Sequence, residues 1–175
     1  MARATRRGVE WGKTLQMDRV DRKILALLQL DATLSLAEVS QKVGLSQTPC
    51  WKRIQKLEQT GVIAARVALL DQKKIGLDVT VFVSIETADH SEGWIARFGE
   101  AVAQMPEVMD CWRMAGDVDY LLRVVTPDLS SYDAFYKRLV SAFPMRNVSS
   151  RVAIERVKGT TALPLPDDDA LARRS

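Results

Sequence analysis

The chain has 175 residues, 47% hydrophobic and 27% charged, with a formal net charge of +3, a balance that lets one ordinary domain or two small ones fold without staples. No apolar run approaches the ~20 residues of a membrane span, and the opening "MARATRRGVEWGKTLQ" lacks the apolar centre of a secretion signal, so a cytoplasmic location without a membrane partner is expected. Cys50 and Cys111 lack CxxC or CxxH spacing and the lone His90 lies in a polar turn with no GxSxG or HExxH around it, which argues against a disulfide framework, a metal site, a cofactor or an enzyme.

Residues 1–60 carry 11 Lys and Arg against 6 Asp and Glu, a balance of +5, whereas residues 61–175 carry 14 against 16, or −2. The basic excess points to a polyanion as the partner of the N-terminal part. Residues 1–16 read as a flexible basic arm or as the product of a misassigned start codon, because Met17 directly precedes the first capped helix.

"DRVDRKILALLQ" offers Asp18 as a helix cap with Asp21 three residues on, then Val20, Ile24, Leu27 and Leu28 at the spacing of one helical face. "SLAEVSQKVG" repeats the pattern, with Ser35 and Glu38 as a capping box, Leu36, Val39 and Val43 as the apolar stripe, and Gly44 as the terminator. In "LSQTPCWKRIQKLEQTG", Ser46 is placed to cap a third helix, and Pro49 falls in its first turn, where a missing N–H costs little. At 100° per residue, Cys50, Ile54 and Leu57 share one face, which should be core. Thr48, Lys52, Gln55, Lys56 and Gln59 fall roughly opposite, with Gln47 and Trp51 beside them and Arg53 to the other side, suited to a phosphate. That outer face is free of acids and rich in groups that reach base edges and phosphates, although an ordinary solvated helix face reads much the same. The tight turn "VGLS" between helices two and three favours a helix-turn-helix that binds double-stranded DNA.

"VIAARVALLD" reads as an extended strand linking onward, and "KKIGLD" as a turn. "VTVFVSIET" alternates, "GWIARFGEAVAQM" has Trp94, Phe98, Val102 and Met105 at helical spacing, and Pro106 stops it. "VMDCWRMA" and "VDYLLRVV" read as a hairpin, "SSYDAFYKRLVSAF" as a helix with Tyr132, Phe135, Leu139 and Phe143 along one face, and "VSSRVAIERV" as a last strand. The order βαββαβ is the ferredoxin-like arrangement, so the expected fold class is α+β with a (winged) helix-turn-helix domain before it. Both faces of "VDYLLRVV" carry apolar residues, so the open sheet face also seeks cover, as a homodimer packed sheet against sheet would provide. The expected divisions are a helix-turn-helix domain over 17–63, a linking strand over 64–76, the ferredoxin-like domain over 77–160, and a tail over 161–175 whose "PDDDALARRS" should be disordered.

The stretches "LSQTPCWKRIQKLEQTGVI" at 45–63 and "MAGDVDYLLRVV" at 114–125 resemble the Lrp/AsnC (feast/famine) family of transcription regulators, and the likeness runs from about Asp18 to Leu165. More narrowly, "PCWKRI", "ALLDQKKIGL", "MPEVMDCWRMAGDVDYLLRV" and "YDAFYKRLV" resemble the branch associated with cysteine sensing and detoxification. The resemblance implies a helix-turn-helix, a linking strand, and a ferredoxin-like domain that binds an amino acid near a dimer interface. It also implies dimers that assemble into tetramers, octamers or larger discs.

It makes Ser46 to Lys56 the recognition helix, with Ser46, Gln47, Thr48, Trp51, Lys52, Arg53, Gln55 and Lys56 as the DNA-binding set, two copies of which would read half-sites about one helical turn apart. It makes Met114, Ala115, Gly116, Asp117 and Asp119 the effector loop, with Ser150, Arg151 and Val152 facing the pocket. A carboxylate suits the ammonium of a zwitterion and N–H groups near a glycine suit its carboxylate, so the resemblance assigns Asp119 the ammonium; read without it, Gly116-Asp117 is simply a hairpin turn and Asp119 an edge-strand charge. Arg151 stands where the family has an apolar or aromatic residue; it could take an effector carboxylate or pair with Glu155. Cys111 should be a small buried apolar group, with a thiol role only if cysteine is the effector.

Overall fold

The computed structural model describes residues 17–165; the basic arm expected over 1–16 and the "PDDDALARRS" tail lie outside them. The chain divides into two units, one comprising residues up to Val67 together with those from Gly159, the other Ala68–Lys158.

Local chemistry fixes the helices of the first unit: α1 (Arg19–Leu28), α2 (Leu36–Val43) and α3 (Gln47–Gln59). Asp18 and Asp21 close one capping box, Ser35 and Glu38 a second, and Gly44 ends α2 at φ 73°, a conformation costly for residues with a Cβ. Ile24, Val39 and Cys50, all about fully buried, meet at the centre with Leu25, Leu28, Val43, Ile54 and Leu57. Ser46 occupies the α3 cap position as expected, but its hydroxyl makes no cap hydrogen bond.

Within this single chain the stretch 62–71 pairs with no strand among the described residues, so the linking strand expected over 64–76 has no hydrogen-bonded neighbour here, and a strand needs one. Val67, Leu69 and Leu70 are instead exposed. The start of the expected tail also belongs to this unit. The Gln29 amide receives the Leu163 N–H and donates to the Leu163 carbonyl, both at 2.9 Å, and Leu165 packs against the helical core.

In the second unit, a short 3-10 turn (Lys73–Ile75) precedes β1 (Val79–Glu86), α4 (Glu92–Ala103), β2 (Val108–Arg113), β3 (Tyr120–Thr126), α5 (Leu129–Ala142) and β4 (Asn147–Val152). The antiparallel sheet has order β2-β3-β1-β4, the ferredoxin-like topology. Val81, Val83 and Ile85 sit opposite Val124, Leu122 and Tyr120, and this face packs on Trp94, Phe98, Phe135 and Leu139. The Trp94 and Phe98 rings stack at 4.9 Å, and Phe98 meets Tyr120 at 4.6 Å. The opposite face carries Phe82, 36% exposed, and Trp112, 45% exposed. The last strand stops at Val152 rather than Val157, leaving Ile154 and Val157 exposed.

Candidate functional site

On α3, helical periodicity separates the two faces. Cys50, Ile54 and Leu57 are buried, and burial raises the Cys50 thiol above its ordinary pKa. Ser46, Gln47, Thr48, Lys52 and Lys56 are exposed, Gln55 is half-buried, and Trp51 is 47% exposed. Lys52 and Lys56 have no acidic partner among the described residues. The outer face is therefore an unobstructed surface of hydroxyl, amide and ammonium groups. Trp51 and Gln55 line a hollow of about 310 Å³ together with Leu28, Leu36, Ile54 and the Glu58–Arg66 ion pair, 2.9 Å.

Arg53, expected to suit a phosphate, is engaged by two carboxylates. Its Nη1 lies 2.6 Å from Asp18 Oδ2 and 2.7 Å from Asp21 Oδ1, because the α1 cap carboxylates lie within reach of its side chain and two charge-assisted hydrogen bonds engage it. The Asp18 carboxyl is held below its ordinary pKa, first by the Asp21 N–H and also by Arg53.

The second candidate region is the hairpin between β2 and β3. Met114 N–H donates to the Asp119 carbonyl at 2.8 Å, and Gly116 takes φ 120°, where a side chain would be strained. Met114, Ala115, Gly116 and Asp117 are exposed. Asp119 is tied down: its N–H donates to the Ile85 carbonyl at 2.9 Å, and its Oδ2 accepts the Thr87 N–H at 2.8 Å. His90 Nδ1 stands 3.7 Å from Asp119 Oδ1. Nothing in the local pattern around Thr87 or His90 marks them, but the βαββαβ order does, since it lays the end of β1 beside the start of β3.

Ser150, Arg151 and Val152 do not join that loop within one chain. They lie on β4, and β1 and β3 stand between β4 and β2 in the sheet. Ser150 Oγ is hydrogen-bonded to the Tyr132 hydroxyl, Val152 is 53% exposed, and Arg151 Nη1 donates to Ser84 Oγ at 2.9 Å rather than pairing with Glu155. Cys111, expected to be buried, is exposed on the edge strand β2. Desolvation of the thiol nevertheless raises its pKa above the ordinary value.

Family models match both units: the AsnC-type helix-turn-helix domain over residues 17–58 and the Lrp/AsnC ligand binding domain over residues 80–163. The chain belongs to the Lrp/AsnC family. As an Lrp/AsnC protein it is a DNA-binding transcriptional regulator with an amino-acid-binding domain. It is 52% identical over 150 residues to the DNA-binding transcriptional activator DecR of Escherichia coli K12, covering 85% of this chain and 99% of DecR. It is 48% identical to the glutamate uptake regulatory protein of Zymomonas mobilis, covering 91% and 97%. Among solved structures, an AsnC family regulator from Agrobacterium tumefaciens is 60% identical with a TM-score of 0.82, and a Neisseria meningitidis regulator in complex with L-Met is 30% identical with a TM-score of 0.80; each match covers 85% of this chain and 97% of the other. These relatives carry regulator names, not enzyme names, and no helix of the described residues is long and apolar enough to cross a membrane.

Proposed function

We propose that this Lrp/AsnC regulator acts in the cytoplasm as a homodimer, building to a tetramer or octamer, that inserts the outer face of α3 into the major groove of an operator. Its DNA affinity or assembly then responds to an amino acid. The observation that carries this reading is the open α3 surface, where Thr48 and Lys52 are exposed and no acid lies on the outer face. Thr48, Gln55 and Gln47 supply hydrogen-bonding groups for base edges, and Lys52 and Lys56 supply charges for the backbone.

For the effector, the free lone pairs of Asp119 suit an ammonium, and the exposed N–H groups around Gly116 suit a carboxylate. Because β1 stands between β4 and the β2–β3 hairpin, the full residue set is united when a second copy supplies one half. Cysteine is the first candidate, from the resemblance of this sequence to the cysteine-sensing branch. Glutamate and methionine follow from the names of the other relatives.

A thermal-shift screen of the full chain against the twenty amino acids, followed by DNA binding with and without each hit, tests the reading. A ligand at 100 times its Kd should stabilise the protein by about 2.7 kcal/mol, and the same compound should change DNA affinity or assembled mass. The effector role fails if no amino acid shifts the melt, and the regulator role fails if no duplex is preferred over random sequence.

A further inference from the structure

The geometry points to Arg53 as a positioning residue of the DNA interface, one that holds the reading helix against the α1 cap instead of gripping a phosphate. This inference rests on the proposal that α3 reads DNA. At 100° per residue Arg53 lies one step round the helix from Lys52, and its composition alone would place it among the phosphate ligands. Its surroundings argue otherwise. A single nitrogen, Nη1, is shared by Asp18 Oδ2 and Asp21 Oδ1 at 2.6 and 2.7 Å. The remaining carboxylate oxygens are spent on α1 itself: Asp18 Oδ1 accepts the N–H groups of Val20 and Asp21 at 2.8 Å, and Asp21 Oδ2 accepts the Asp18 N–H at 3.3 Å. The α1 capping box and the middle of α3 thus form one knot.

The Asp21 side chain is only 10% exposed, so losing Arg53 would strand a mostly buried carboxylate. A phosphate drawn toward Arg53 would also meet two carboxylates, a like-charge juxtaposition. Both acids border the same open hollow as Pro49, Lys52 and Lys56. Arg53 therefore does two things for its neighbours. It sets the rotation of α3, and hence where Thr48, Lys52 and Gln55 point, and it neutralises acids that would otherwise repel the duplex.

The test uses the full-length protein, a duplex selected from a random pool by the wild type, and a random-sequence duplex, all well below the melting temperature. The readout is discrimination, the ratio of the two Kd values, which global stability alone does not move. Arg53→Gln removes a positive charge, whereas Asp18→Asn/Asp21→Asn removes two negative charges and keeps a good cap residue. Discrimination should fall about tenfold in both, the scale of losing one base contact, while Arg53→Lys retains more of it. Neutral methylphosphonates placed singly along the selected duplex should penalise Arg53→Gln at the same positions as the wild type. The proposal is overturned if discrimination is unchanged in either variant, if the double Asn variant binds the selected duplex more tightly with its discrimination intact, or if one methylphosphonate penalty disappears in Arg53→Gln. Should Arg53→Gln fail to fold, the double Asn variant decides alone. If the wild type itself shows no discrimination, the DNA-reading proposal fails instead.

Discussion

Lys52 and Arg53 are adjacent, both positively charged and read almost identically in sequence, yet they have opposite surroundings. Lys52 is exposed without an acidic partner among the described residues, so its ammonium is available to a phosphate. Each phosphate contact releases about one counterion, so Lys52→Ala should weaken binding to all duplexes and reduce the log–log salt slope by about one unit. Gel shifts over a salt series measure this, and an unchanged slope removes Lys52 from the contact set. The division between the Cys50 face and the Thr48, Lys52 face was legible because it depends only on the helical period. The engagement of Arg53 was not, because Asp18 and Asp21 stand 35 and 32 residues away and reach it only once α1 and α3 cross. The hairpin shows the same division: Gly116 announces a turn, but the grip of Thr87 on Asp119 spans 32 residues.

Capped elements were readable where the signal is local. Asp18 with Asp21, Ser35 with Glu38, and Gly44 each satisfy or terminate a helix end within a few residues, and each stands in the structure as its spacing required. Elements that depend on a distant partner were not. "VIAARVALLD" has strand composition and no strand neighbour, whereas "TALPL" has tail composition and docks on α1 through Gln29 and Leu165. That docked segment closes the helical unit with a piece from the far end of the sequence. Two neutral hydrogen bonds and part of a leucine side chain should together contribute about 2 kcal/mol. Truncation after Lys158 should therefore lower the stability of the helical unit by about that amount and speed hydrogen exchange of the α1 amides, with the sheet unit unaffected. Equal exchange in the two proteins would show the segment to be idle.

At the scale of the molecule, the sheet presents one face to its helices and leaves the other with aromatic surface. Phe82 and Trp112 are exposed there, with Leu121 beside them, while Asp110–Arg123 at 2.5 Å and Arg151–Ser84 at 2.9 Å supply the polar groups. Register places Phe82 directly between Arg123 on β3 and Arg151 on β4. This arrangement makes Phe82→Glu an informative test of the proposed sheet-to-sheet dimer. In a single chain the new carboxylate has an arginine on either side, so the fold should survive. Across a twofold axis the same change buries charge where two apolar faces should meet, and the dimer should not form. The variant should sediment at half the wild-type mass with an unchanged circular dichroism spectrum. Its affinity for a duplex carrying two half-sites should drop by 10²-fold or more, because the second helix is no longer delivered at high effective concentration, while affinity for a single half-site stays the same. An unchanged mass would place the dimer contact elsewhere, with the exposed stretch around Val67, Leu69 and Leu70 as the next apolar surface to substitute.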